Sequence, residues 1–135
     1  MEYLVDSNVI LDIVTEDKRW FQWSSKTLAH YAEDHTLNIN PIIYAEISIA
    51  FDRIEDIEAA LPPAYFSRLQ LPWEAAFLAG KCYLKYRKKG GEKRSPLPDF
   101  YIGAHAAIKG MALITRENSR YHTYFPKLNI ITPNS

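Results

Sequence analysis

Short apolar runs and longer amphipathic stretches take turns along the chain. Tyr3-Leu4-Val5 is too brief for a helix and predicts a first strand that runs straight into Asp6. Val9 to Val14 reads as a short helical or turn segment, and the charged residues 15–19 as a loop. From Trp20 to Glu33, apolar side chains recur at Trp20, Trp23, Thr27, Leu28 and Tyr31, the spacing of an amphipathic helix. Residues 36–40 predict a second strand. Pro41, suited to a first helical position, opens a helix through about Phe51. A further helix over 53–61 is stopped by Pro62-Pro63. Residues 65–71 fit neither period. A long helix follows from Pro72 to about Arg87, with Trp73, Ala76, Phe77, Gly80 and Leu84 on one face. Residues 88–98 form a loop rich in glycine, proline and charge. A very apolar helix over 97–109 is closed by Gly110. Residues 111–115 and 129–132 predict strands, with an aromatic-rich loop over 116–126 between them.

Strands that alternate with helices, and that are mostly apolar, imply a parallel sheet covered on both faces. In right-handed strand–helix–strand units, helix N-termini lie at the edge where strands end, and ligands bind there. Four acids fall at that edge: Asp6 after the first strand, Glu46 in the second turn of the Pro41 helix, Asp99 in the first turn of the 97–109 helix, and Glu117 just past the strand ending at Thr115. Glu46 and Asp99 interrupt apolar runs. Two carboxylates 4 Å apart repel by roughly 4 kcal/mol at an effective dielectric of about 20, so a positive partner is expected. Oxygen ligands without cysteine or a convergent histidine pattern favour Mg²⁺ or Mn²⁺, one ion or two. Each acid also has a plainer use. Asp6 could cap a turn, Glu46 could pair with Arg53 or Arg116, Asp99 could answer a helix dipole, and Glu117 could be an ordinary loop acid.

Composition narrows the field. The 135 residues fit one compact domain and are 47% hydrophobic and 24% charged, which argues against disorder. Sixteen basic residues balance sixteen acidic ones, so any nucleic-acid surface must be local. Lys85, Arg87, Lys88, Lys89, Lys93 and Arg94 crowd the segment before Asp99, opposed only by Glu92. This is either a phosphate-binding patch or a solvated helix end. Arg116, Arg120 and His122 lie nearer the acids and are further candidates to touch a substrate. His30, His35 and His105 read as surface or core residues. The single Cys82 excludes an intramolecular disulfide and a cysteine zinc site. No basic leader and no apolar run of 18 residues is present, so the expectation is a cytoplasmic protein with no membrane segment.

The opening Tyr3-Leu4-Val5-Asp6-Ser7-Asn8-Val9-Ile10-Leu11-Asp12 resembles the start of PIN-domain ribonucleases. Asn40-Pro41 through Tyr44-Ala45-Glu46 and the run from Pro98-Asp99-Phe100 to His105-Ala106 resemble the same family. Leu113-Ile114-Thr115-Arg116-Glu117, followed by Arg120-Tyr121-His122-Thr123-Tyr124-Phe125-Pro126, is similar to the end of VapC-type toxins. The similarity covers essentially the whole chain. It implies a single PIN-like domain over 1–135: α/β, with a doubly wound, mostly parallel sheet of four to five short strands flanked by helices. It further implies a Mg²⁺- or Mn²⁺-dependent endoribonuclease, the toxin of a toxin–antitoxin pair. Asp6, Glu46 and Asp99 match the family's acids, Thr115 its small hydroxyl residue, and Asn8 the polar partner of the first acid. The fourth acid is usually Asp and is here Glu117, which leaves direct, water-mediated and purely electrostatic roles open. Asp12 also matches and reads as structural. Lys88, Lys89, Lys93, Arg94, Arg116 and Arg120 are the RNA-contact candidates. A cognate antitoxin and a homodimer are the implied partners. Trp20, Phe21 and Trp23 are either such a partner surface or core.

Three other classes fit less well. A phospho-accepting receiver would want a lysine after a later strand, where Thr115-Arg116 stands. A dehalogenase-like phosphatase would want Asp-x-Asp, and Asn8 occupies the second position. A dinucleotide-binding fold needs a glycine-rich first turn. A catalytically weakened PIN-like RNA- or protein-binding module is the alternative that stays open, with Glu117 as its sign.

Overall fold

A computed structural model describes residues 2–91 and 97–133. In chain order the elements are β1 (Glu2–Val5), α1 (Ser7–Val14), α2 (Phe21–Ala32), β2 (Thr36–Ile39), α3 (Pro41–Ser48), α4 (Ile54–Ala60), β3 (Phe66–Arg68), α5 (Trp73–Lys88), α6 (Leu97–Lys109), β4 (Ala112–Ile114), α7 (Ser119–Tyr124) and β5 (Ile130–Ile131). The five strands form one sheet in the order β3-β2-β1-β4-β5, and every pairing is parallel. The fold is α/β and doubly wound, with β1 at the centre.

The sheet interior follows from the apolar strands. Leu4, Val5, Leu113 and Ile114 are fully buried, and Ile43, Ile47, Phe100 and Ile102 seal the sheet from the helices. Asn40 caps α3 through its side chain, which accepts from the Ile43 amide, and Pro41 sits at the first helical position. Gly110 adopts φ +68 after α6, where a Cβ would be strained. Among the described residues no helix is long and apolar enough to cross a membrane.

Three readings of the sequence change. Residues 65–71 contain the edge strand β3, a pairing with β2 that local periodicity could not reveal. The supposed loop 116–126 holds the short helix α7. The face of α5 bearing Trp73, Phe77 and Leu84 points to solvent, with Trp73 89% and Phe77 70% exposed. Ala75, Ala79 and Cys82 are buried instead, because these small side chains let α5 lie close against α6. Trp20, Phe21 and Trp23 are half-buried, and Trp23 packs on the core. Lys93 and Arg94 lie outside the described residues.

One close approach fixes α7. A Cβ on Gly103 of α6 would come 2.5 Å from the Phe125 ring, directly after α7. Gly103→Ala is therefore expected to destabilise the protein by about 1–3 kcal/mol through overpacking. Urea denaturation measures this, and an unchanged midpoint would show that Phe125 yields freely.

Candidate active site

Parallel pairing brings the ends of β1 and β4 together. The Asp6 amide donates to the Ile114 carbonyl at 2.9 Å, continuing the ladder one residue past the strand. The Asp6 side chain is 2% exposed, and a carboxylate there needs partners. Its Oδ1 accepts from the Ser7 amide at 2.8 Å, so it also caps α1. Its Oδ2 accepts from Thr115 Oγ1 at 2.8 Å and from the Tyr121 hydroxyl at 2.9 Å. Asn8 Nδ2 lies 3.4 Å from the same oxygen and 3.2 Å from Thr115 Oγ1. The Arg116 amide donates to Asn8 Oδ1, which fixes the orientation of that side-chain amide.

The other acids gather around this centre. Ser7 Oγ donates to Glu46 Oε1 at 2.7 Å, linking α3 to the start of α1. Asp99, on the first turn of α6, accepts from Arg120 Nη1 on α7. Glu117 Oε1 accepts from Ser119 Oγ at 2.9 Å and from the Arg120 amide at 3.2 Å, so it holds the first turn of α7. Burial pushes the Asp6 carboxyl up, and the nearby Glu46 charge adds to this against the Thr115 and Tyr121 hydrogen bonds. Burial also raises Glu46, with the Asp99 charge adding to it. Asp99 is pushed up to about 6 by burial and by the Asp6 and Glu117 charges, against the pull of Arg120. All four acids thus share one electrostatic neighbourhood. Burial, with Asp6 and Asp99 close by, lifts the Tyr121 phenol well above its ordinary range, so it stays a donor.

Some expected roles move. Neither Arg53 nor Arg116 pairs with Glu46. Arg53 meets Glu55, and Arg116 grips Asp12 through Nε at 2.7 Å and Nη2 at 3.0 Å. Ser24 Oγ also donates to Asp12, and the Arg116 guanidinium lies 5.3 Å from the Trp20 ring centre. Arg116 is therefore a strut between α1, α2 and the end of β4, with two of its nitrogens already engaged. Lys88 and Lys89 are exposed at the end of α5, and Lys89 Nζ stands 5.6 Å from the Tyr124 ring of α7. His105 is fully buried and shares a hydrogen bond with Asn40.

Sequence reasoning gave no role to Ser7 or Tyr121. The pair Tyr121 and Phe125, four apart and both buried, is the helical signal that would have placed a donor over Asp6.

The chemistry of this donor set is that of a hard cation site: carboxylate and hydroxyl oxygens in electrostatic contact. As placed, no three His, Cys, Asp or Glu side chains among the described residues are close enough together to hold an ion. Ser7 engages Glu46 and Arg120 engages Asp99. The donors fit a divalent cation in kind and charge, with Asp99 Oδ2 taken by Arg120 as placed.

A doubly wound parallel sheet with acids gathered at its carboxyl edge defines an α/β domain whose candidate site lies at the strand ends. Within it, the PIN domain family model matches residues 3–126, and the chain belongs to that family. Solved structures share the fold. A chain in the VapBC-1 structure from nontypeable Haemophilus influenzae aligns at TM-score 0.73 and 20% identity over 100% of both chains. A chain in VapBC2 from Rickettsia felis, bound to a DNA fragment from their promoter, aligns at TM-score 0.73 and 18% identity over 98% of each chain. FitAcB from Neisseria gonorrhoeae gives TM-score 0.67 and 18% identity over 97% of each. No curated protein sequence matches the chain.

The raised acids set a pH dependence. Each of Asp6, Glu46 and Asp99 holds its proton more tightly folded than unfolded. Their contribution to stability is complete below pH 4 and is lost as pH rises through the folded values. Asp99, moving from 3.8 to about 6, accounts for roughly 2–3 kcal/mol of that loss by pH 7.5. Urea midpoints measured from pH 4.5 to 7.5 should fall more steeply for the wild type than for Asp99→Asn, whatever the variant's absolute stability. Parallel slopes would mean that the Asp99 carboxyl is not raised.

Proposed function

We propose that the chain is a metal-dependent endoribonuclease, the toxin of a toxin–antitoxin pair of the VapC kind. The observation that carries this is the meeting of Asp6, Glu46, Asp99 and Glu117 at the carboxyl edge of the sheet in a PIN fold. Asp6 and Asp99 would hold Mg²⁺ or Mn²⁺, with Glu46 bound directly or through water. Glu117, engaged in holding α7, contributes negative charge. A divalent cation there supplies Lewis-acid activation of water and neutralises charge on phosphoryl oxygens.

The chain's own groups do the positioning. Thr115 and Tyr121 orient the Asp6 carboxylate, and Asn8 steadies Thr115. Ser7 fixes Glu46 and keeps it beside Asp6. The basic end of α5, with Lys85, Arg87, Lys88 and Lys89, supplies local positive charge for an RNA backbone in a chain of zero net charge.

Solved structures that share the fold include a toxin–antitoxin complex from Klebsiella pneumoniae and a member of the VapBC family of toxin–antitoxin systems from Mycobacterium tuberculosis, which supports an antitoxin partner for this chain. The exposed Trp73 and Phe77 on α5 support a homodimer, because patches of this kind mark protein contacts. The cytoplasm is the compartment where such an RNA substrate would be met.

A catalytically weakened binding module is the second reading, and the Arg120–Asp99 pair is what favours it. The assay that separates the two uses purified wild type, Asp6→Asn and Asp99→Asn with Mn²⁺ and a labelled RNA. The nuclease reading expects each variant to cut at least about 100-fold more slowly while still binding RNA. Equal rates in all three proteins would sink it.

A further inference from the structure

Two arginines on neighbouring segments treat their acids differently. Arg116 holds Asp12 with two nitrogens, over the Trp20 ring, and Asp12 is 2% exposed. Arg120 holds Asp99 through Nη1, and both side chains are about one-third to one-quarter exposed, at 32% and 26%. The two guanidiniums are similarly exposed, at 29% and 32%, but the first makes a two-point contact to a buried acid and the second a one-point contact to a partly exposed one. Among the described residues, Arg120 is the cation that forms a salt bridge with one of the four acids.

The backbone beneath Arg120 is held at several points. Glu117 accepts from the Arg120 amide, and the next residue, Tyr121, is anchored on Asp6. Phe125, packed against Gly103, pins the far end of α7. The guanidinium is thus carried on a fixed mount. Its Cζ lies 5.9 Å from the Tyr86 ring centre on α5 while it holds Asp99, so the ring keeps it beside that helix without the carboxylate as well. That ring is at the basic end of α5, where an incoming phosphate would meet Lys85, Arg87 and Lys88.

We propose that Arg120 is a built-in counter-ion. In the free protein it supplies the positive charge that Asp99 requires, it competes with the divalent cation for that carboxylate, and once released it stays against Tyr86 and binds a phosphate of the RNA. This rests on the metal-dependent reading above. It adds a residue whose single charge serves the empty site and the loaded site in turn. A guanidinium suits both tasks, because its planar fork matches carboxylate and phosphate oxygens alike.

The test measures binding, not cleavage. Mn²⁺ affinity is determined by calorimetry for wild type, Arg120→Gln, Arg120→Lys and the distant control Arg53→Gln. Binding of a non-cleavable 2′-O-methyl RNA is then measured in saturating Mn²⁺. Arg120→Gln should bind Mn²⁺ about tenfold more tightly and the RNA about tenfold more weakly, with Arg53→Gln matching wild type on both. Arg120→Lys, which keeps the charge and loses the fork, should move both constants in the same directions by less. It decides the question if the Gln variant does not fold by circular dichroism. Unchanged or weaker Mn²⁺ binding in the Arg120 variants, with wild-type binding intact, overturns the counter-ion role and leaves the nuclease reading standing. Absence of Mn²⁺ binding by the wild type itself overturns both.

Discussion

A buried carboxylate at the end of the central strand governs this molecule. Asp6 has almost no contact with solvent, and its charge is met by donors from three places: the start of α1, the end of β4 and the helix α7. Leaving such a group unpaired costs several kcal/mol, so the three segments are tied to one point. Tyr121 shows the dependence most clearly. It is fully buried, its phenol stays protonated, and its one-sided donor capacity is spent on Asp6. Anything that shifts α7 therefore disturbs the centre of the acid cluster.

Topology explains why the other acids arrive there. The order β3-β2-β1-β4-β5 reverses direction between β1 and β4, and the crevice of a doubly wound sheet opens at such a reversal. Asp6 and Thr115 are the first residues past those two strands. The α3 and α6 N-termini face the same edge and deliver Glu46 and Asp99. No single local element forms the site. It is the shared edge of four units, and burial there raises the proton affinity of its acids, with their mutual charges adding to it.

The parts of this arrangement visible in the sequence were those with local signals. Apolar runs located β1, β2 and β4, Pro41 located the start of α3, and the misplaced charges of Asp6, Glu46 and Asp99 stood out against apolar neighbours. What stayed hidden depended on tertiary contact. The strand β3 exists because β2 offers it an edge. The face of α5 chosen for burial is the one with small side chains, since close approach to α6 outweighs the hydrophobicity of Trp73 and Phe77. The role of Ser7 could not be read from type or spacing, and the Tyr121–Phe125 spacing pointed to a helix but not to the carboxylate that Tyr121 meets. Arg116 was legible as a cation near the acids, but its choice of Asp12 over Glu46 is a matter of position alone.

The acid cluster must be stable under two conditions that pull in opposite directions. A site that binds a divalent cation tightly gathers negative charge, and that same charge opposes folding when the cation is absent. An arginine on Asp99 relieves the empty site but weakens it as a receptor, because the cation's net affinity is reduced by whatever the arginine already contributes. A two-point pair such as Arg116–Asp12, on an acid that is itself buried, would relieve the repulsion too well and hold the acid closed. The one-point contact of Arg120 to a partly exposed acid, mounted on a helix anchored to Asp6, sits between these limits. On the proposed metal-dependent reading, the strength of that single contact sets how much cation the site would need, and α7 is the element through which the sequence adjusts it.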